Sequence, residues 1–526
     1  MARDFQLPGR SPVIACEGMA ATSHPLATLA AVDVLREGGN AADAAVTACA
    51  VLCVVEPHMT GIGGDCFVML AKAGQPPWGY NGSGRSAAAA SVQALRAQGL
   101  TEIGTSIHAV TVPGAVDAWD ATLRTHGTIG LDRALAPAIK YAEQGFALAA
   151  RVAFDWARFE ARLKADPGCT KYYLVDGKVP REGDVVRLPA LARTLKTIAA
   201  KGARALYEGE IADDMAATLA DHGSLITTAD LAAHRGEVVI PIQTGYRGLD
   251  LFEIPPNGQG ITALVTLNIL ENFDLKRFDP LSAERFHLML EAARIGYAVR
   301  DTHVADPNAM RIDVEKLLDK AWAKTLAKTI DTEKRVALPK MPTPGNETVY
   351  ISVVDRDRMA VSFINTLYSN FGHGVCTEKT GILFTNRGFS FTLDPAHPNA
   401  IGPSKRPMHT IIPALAMRGG RVDYSLGVMG AHYQPMGHIQ VVSNLIDYGL
   451  DVQQTIDMPR AFFVGEDTAV ERGMPAATVE GLKKRGHRVT TPDVPWGGAQ
   501  IINIDWDRGV LIAGSEPRKD GCALGY

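Results

Sequence analysis

No stretch of this 526-residue sequence is apolar for long enough to cross a bilayer. The most hydrophobic run, residues 41–55, is interrupted by Asp43 and falls short of the roughly 20 apolar residues a spanning helix needs. The opening decapeptide, Met1 to Arg10, has no apolar core of the secretory type, so a cytoplasmic protein with no membrane association is expected. Basic runs are also missing and the formal net charge is −4, which argues against a nucleic-acid partner. Cysteine is sparse. The seven (Cys16, Cys49, Cys53, Cys66, Cys169, Cys376, Cys522) are odd in number and scattered, which fits reduced thiols rather than a disulfide framework. The histidines show no metal-ligand spacing, and the glycine-rich Gly61-Ile62-Gly63-Gly64-Asp65 lacks the lysine of a phosphate loop. Neither metal nor cofactor is expected, and the glycine run reads as a close-packed entry to a strand.

Hydrophobic residues at 46% and charged ones at 21% describe an ordinary globular chain with a substantial core. Helical spacing is visible within residues 18–39 and 41–55, and again near 131–145, 188–201, 208–222 and 281–300. Strands are expected at 67–71, and a turn into a helix at Thr111-Val112-Pro113-Gly114. From 131 to about 330 the pattern is mainly helical, broken by a strand and loop around Tyr246-Arg247-Gly248 and residues 255–260. Residues 331–347 are rich in proline and lysine without periodicity, as an exposed linker is. Beyond it, short strands at 381–384, 410–414, 422–426, 500–504 and 510–513 alternate with helices near 434–449, 452–458 and 475–485. No internal repeat is present.

The chain is organised around the end of that linker. Pro344-Gly345-Asn346 turns into a strand in which Val349, Ile351 and Val353 face one way and Thr348, Tyr350 and Ser352 the other. A short charged break, Asp355-Arg356-Asp357-Arg358, separates it from a second strand-like run, residues 360–367, and the pair reads as a hairpin. If Val354 pairs with Ala360, Thr348 lies opposite Thr366; a one-residue slip replaces Thr366 with Asn365. By itself Thr348 could simply be a strand-starting β-branched residue.

Gly345-Asn346-Glu347-Thr348, Ser352-Val353-Val354-Asp355 and Phe371-Gly372-His373-Gly374 together resemble the processing site of the gamma-glutamyltransferase family, and the resemblance runs from about Gly18 to Tyr526. It implies an α+β fold, the four-layer αββα sandwich of N-terminal nucleophile hydrolases. It also implies cleavage between Glu347 and Thr348 into a large part, 1–347, and a small part, 348–526, which pair as one composite fold; any higher oligomer is left open. Such chemistry has a physical reason. A threonine hydroxyl is a poor nucleophile until a base takes its proton, and a free α-amine, of pKa about 7.7–8.0, is such a base, whereas an amide nitrogen is not. By the resemblance Thr366 orients the nucleophile, and Gly430 and Ala431 form the oxyanion hole within Gly427-Val428-Met429-Gly430-Ala431.

The resemblance weakens in the substrate pocket. The family's carboxylate-binding arginine falls at Ser83, with Arg85 two residues on as a substitute or an ordinary surface arginine. Its asparagine falls at Tyr368, its glutamine at Arg387, its ammonium-binding aspartate at Ser390, and its two serines at His409 and Thr410. Loss of the acid and gain of Arg387 favour a small amide bearing a carboxylate and no α-ammonium, although Arg387 could equally brace the local fold with a salt bridge. The resemblance thus implies a γ-glutamyl hydrolase or transferase of glutathione metabolism, or an amidase for a compound such as oxamate, or a cephalosporin-type acylase. An inactive binding protein on the same fold is the reading of a different class.

Overall fold

The computed structural model describes residues 9–337 and 348–526; Glu347 and the rest of 338–347 lie outside the described residues. Two antiparallel seven-stranded sheets pack face to face. The first runs, in spatial order, Cys522–Gly525, Met19–Thr22, Val349–Val354, Ala360–Thr366, Asp65–Ala71, Trp78–Gly82, Glu237–Val239. In the second the order is Val13–Ala15, Val510–Ser515, Gly498–Asp505, Arg421–Met429, Ala414–Arg418, Leu249–Glu253, Ile242–Tyr246. Both sheets therefore combine strands from before and after Glu347–Thr348.

Side-chain alternation sorts each strand between two cores. Val349, Ile351 and Val353 face a helical layer that includes the Pro25–Arg36, Ala41–Val55 and Leu131–Gln144 helices. Tyr350 and Val354 face the other way, joining Phe67, Met69, Leu415 and Ile502 between the sheets. A second helical layer, built from Gly260–Leu270, Ala283–His303 and Gln434–Ile446, covers the outer face of the second sheet through Ala414, Leu426 and Val428. The four layers of the αββα sandwich follow from these three cores.

The Ala41–Val55 helix explains itself locally. Asn40 and Asp43 form a reciprocal capping box, and all fifteen residues are buried, which is why the run carries no polar stripe. Asp355, in the charged break of the hairpin, accepts the Ala41 N–H at 2.9 Å and so ties hairpin to helix. Between the sheets, the Tyr350 ring lies across Gly427, whose missing side chain would meet ring carbons from 2.2 Å. The Tyr350 hydroxyl is 2.8 Å from Ser362, and Ser352 donates to Ser425 of the other sheet at 2.7 Å.

Several elements depart from expectation. Residues 237–253, expected to be mainly helical apart from a strand around Tyr246-Arg247-Gly248, form three strands; of these Glu237–Val239 and Ile242–Tyr246 are sheet edges, which need neither long apolar runs nor strict alternation. Residues 381–384 make only one bridge, Cys376 to Leu383, and the strand expected from 410 joins the ladder only at Ala414. A last strand, Cys522–Gly525, pairs with Met19–Thr22, and a small three-stranded sheet holds Ala461–Val464, Asp467–Val470 and Arg488–Thr490. Among the described residues no helix is long and apolar enough to cross a membrane.

Candidate active site

The hairpin adopts the first of the two expected registers. Val354 faces Ala360 and Val349 faces Asn365, which sets Thr348 against Thr366. Their hydroxyl oxygens are 3.2 Å apart, and both residues are fully buried. Thr366 in turn accepts the Tyr368 N–H at 2.8 Å. The glycine run lets this strand end be approached closely: a Cβ on Gly64 would sit 2.2 Å from the Thr366 carbonyl oxygen, and one on Gly63 2.0 Å from that of Leu383. The ladder that follows brings Asp65 beside Thr366.

Opposite this pair the Arg421–Met429 strand ends in a turn. Gly430 has φ 120°, and Ala431 follows at φ 44°, a left-handed value that costs a non-glycine residue about 1–2 kcal/mol. The turn is held from outside. Gln259 donates to the carbonyls of Ala431 (2.9 Å) and Thr410 (2.8 Å), its own carbonyl is fixed by Arg300 at 2.6 Å, and Tyr297 donates to the His432 carbonyl. Gln434, at the start of the next helix, directs its amide N–H at Thr348 Oγ1 from 3.5 Å.

The predicted pocket residues divide into two groups. Arg387, Tyr368, His409 and Thr410 are brought together, and Asp65 joins them. The Arg387 guanidinium is fully buried; it donates to Thr410 Oγ1 at 2.7 Å and lies over the Tyr368 ring, 4.1 Å from its centre. Its Nε is 3.9 Å from Asp65 Oδ2, and among the described residues neither Nε nor Nη2 has a hydrogen-bond partner. Burial pulls its pKa down to about 10, so it remains a cation near neutrality. Asp65 accepts from Gly84 N–H at 2.7 Å and meets His409 Nε2 at 3.2 Å. The Ile411 N–H occupies His409 Nδ1, so the imidazole carries its proton on Nε2, and burial beside Arg387 lowers its pKa to about 4. Tyr368, itself left-handed at φ 73°, has its hydroxyl 3.5 Å from His432 Nε2 and against Ser390.

Arg85 belongs to the second group. It is bound to Glu237 at 2.6 Å, with Asp306 at 3.7 Å and the Ser404 carbonyl at 3.3 Å. Ser83 is occupied by Asn81 and Asn257. Among the described residues one set, His287, Glu291 and His487, brings three metal-type ligand atoms within 4.8 Å of one another. It lies in a different cluster: His287 Nδ1 and His487 Nε2 meet at 2.8 Å, and Glu291 is paired with Arg294.

The chain is similar to known proteins over nearly its whole length. A model of the family described as gamma-glutamyltranspeptidase matches residues 27–526. The chain belongs to the gamma-glutamyltranspeptidase family. It is 38% identical to the glutathione hydrolase-like YwrD proenzyme of Bacillus subtilis, over 98% of this chain and 99% of that one. Identity to the oxamate amidohydrolase proenzyme of Klebsiella pneumoniae is 35%, again over 98% and 99%. A solved cephalosporin acylase from Bacillus halodurans superposes with a TM-score of 0.94 at 38% identity, covering 100% of this chain and 99% of that one. Membership of the gamma-glutamyltranspeptidase family, with proenzymes among the relatives, makes the chain a self-processing amidohydrolase or acyltransferase with the N-terminal nucleophile hydrolase fold. Within that family frame, Gln259, Arg300, His432 and Gln434 are site neighbours that the sequence did not point to, whereas Asp65 is one of two acids, with Asp394, that by sequence could fold into the pocket. The one available signal was proximity in the chain: His432 and Gln434 follow the Gly430-Ala431 turn directly.

Proposed function

We propose that the chain is cut between Glu347 and Thr348, giving parts 1–347 and 348–526, and that Thr348 is the nucleophile for cleaving a carboxylate-bearing amide. The observation that carries this is the 3.2 Å approach of the Thr348 and Thr366 hydroxyls at the mouth of the hairpin. In this reading the α-amine freed at Thr348 takes the hydroxyl proton as the oxygen attacks the amide carbon. The Gly430 and Ala431 backbone N–H groups receive the oxyanion, and the proton passes to the leaving amine as the C–N bond breaks. Water then opens the acyl-Thr348 ester. Arg387 reads the substrate carboxylate through its Nε and Nη2 edge, with Tyr368, Ser390, His409 and Thr410 lining the pocket; Arg85 acts in the Glu237 salt bridge instead. Seven free cysteines support a reducing, cytoplasmic setting.

Asp65 supports a second reading. An acid and a buried cation 3.9 Å apart offer complementary charges to an α-amino acid, as a γ-glutamyl substrate of glutathione metabolism presents. Against it, Asp65 is already engaged by Gly84, His409 and Arg387. A panel of p-nitroanilides separates the two: glutaryl, which has the carboxylate alone; γ-glutamyl, which adds the ammonium; and pentanoyl, which has neither. The first reading expects glutaryl to lead, and a clear preference for γ-glutamyl overturns it. Thr348→Ala should stay a single chain of 56.2 kDa while the parent divides into about 37 and 19 kDa, in proportion to 347 and 179 residues. Spontaneous division of that variant at the same bond overturns the role of Thr348.

A further inference from the structure

We propose that Gln434 is a positioning residue for the nucleophile, its side-chain amide stabilising the Thr348 oxygen as negative charge develops there. The inference rests on Thr348 being the nucleophile. Gln434 is fully buried, and the Ile412 N–H donates to its Oε1 at 3.0 Å. That contact decides which way the amide faces: the oxygen end is taken by the backbone, and the NH2 end is turned to Thr348 Oγ1 at 3.5 Å. A 3.5 Å approach is long for a neutral pair. Donor contacts to an oxygen gaining charge shorten and strengthen, and resting catalytic hydrogen bonds commonly tighten only in the transition state.

The placement has a local cause. The Gly430-Ala431 turn reverses the chain after the Arg421–Met429 strand, the short helical turn Ala431–Tyr433 follows, and Gln434 opens the Gln434–Ile446 helix. One five-residue segment thus delivers the proposed oxyanion-hole backbone and a side-chain donor to the same threonine. Gln259 holds that segment from behind through the Ala431 carbonyl. Thr366 approaches the Thr348 oxygen from the neighbouring strand, at 3.2 Å. With the Gln434 donor on one side and the Thr366 hydroxyl on the other, the Thr348 proton is handed to the α-amine in the proposed step. Gln434 gives up no proton in the step; the O–C bond forms, the proton moves to the amine, and the amide stays an amide throughout.

The test uses two variants of the full chain. Gln434→Met keeps length and removes the donor; Gln434→Glu keeps shape and donates only while its carboxyl is protonated. Self-cleavage is followed as appearance of the small fragment, and turnover with glutaryl and γ-glutamyl p-nitroanilides. Gln434→Met should lower kcat by about 10- to 100-fold with KM within about threefold, and slow self-cleavage comparably. Gln434→Glu should recover relative to the parent as pH falls, since protonation restores a donor. A merely structural role would give no such pH-dependent recovery. Parent-like kcat in Gln434→Met, or a pH profile for Gln434→Glu that parallels the parent, overturns the proposal. If Gln434→Met does not fold, the Gln434→Glu profile decides alone. Thr348→Ala separates the two failures: an active Thr348→Ala removes the nucleophile reading itself, whereas an inactive one beside a parent-like Gln434→Met removes only the role of Gln434.

Discussion

Replacing Arg387 by glutamine tests how the pocket reads charge. Glutamine is too short to keep the Nη1 bond to Thr410, but Asp65 keeps its bonds from Gly84 and His409, so the framework around Asp65 survives. What disappears is a buried cation. At 3.9 Å and an effective dielectric of about 20, one unit charge acts on another with about 4 kcal/mol, and Asp65 already draws on that. The net value of charge-assisted hydrogen bonds from the Nε and Nη2 edge to a substrate carboxylate is therefore about 2–4 kcal/mol. At 1.4 kcal/mol per decade this predicts a loss of about 30- to 1000-fold in kcat/KM for glutaryl p-nitroanilide. The pentanoyl compound, the same chain without the carboxylate, should change by less than about threefold. Thermal stability should move little, because burial already disfavours the Arg387 cation, as its lowered pKa of about 10 shows. Equal losses on both substrates would refute the reasoning and leave Arg387 as a brace for Asp65.

Thr366→Val retains shape but removes the hydroxyl that meets Thr348; turnover and self-cleavage should both slow by about 10- to 100-fold with a parent-like fold, and unchanged kinetics would show the contact to be idle. Gly427→Ala drives a methyl group into the Tyr350 ring from 2.2 Å and should destabilise by about 1–3 kcal/mol, read as a lowered Tm; an unaltered melt would mean that the two sheets can separate there at no cost. Glu516 is buried between Arg460 and Arg518, which hold its pKa at about 2. A depressed folded pKa means that this stabilisation is full above the usual carboxyl range, near 4.5, and is lost as pH falls towards 2. Glu516→Gln should thus cost about 3 kcal/mol in urea denaturation at pH 7, and the gap from the parent should narrow by pH 3; a constant gap would contradict the linkage.

The parts of the fold legible in the sequence are those written in local periodicity. Val349, Ile351 and Val353 alternate against Tyr350 and Ser352, and the charged break after Val354 limits the hairpin to two registers. The helices from 131 onwards were readable for the same reason. Edge strands were not: Ile242–Tyr246 contains Gln243 and Gly245, and Cys522–Gly525 is four residues long, so neither displays a period. Thr348 and Thr366 could be paired by counting along one hairpin. Asp65 and Arg387 are 322 positions apart and meet only through the glycine-lined approach of residues 61–64 to the hairpin, which no local pattern encodes. Gln434 reads in sequence as an ordinary start to a helix; only the Ile412 backbone contact turns it to the threonine.

The interleaving of the two sheets has a consequence for the life history of the molecule. Val349–Val354 lies between Met19–Thr22 and Ala360–Thr366, and Arg421–Met429 lies in the same sheet as Leu249–Glu253. Severing the chain before Thr348 would break no rung of either ladder among the described residues, so the nick itself should leave the assembled molecule intact. Separation of the fragments, by contrast, would require tearing both sheets at once. Before the nick, refolding is a first-order event of a single chain; after it, two pieces must find each other, at a rate that depends on concentration. Durability of the nicked form would then reside in the barrier to leaving the native state, because the return route has been given up. Dilution after denaturation should expose this directly: the Thr348→Ala chain should recover its fold to the same extent at any concentration below aggregation, and the nicked protein progressively less as it is diluted.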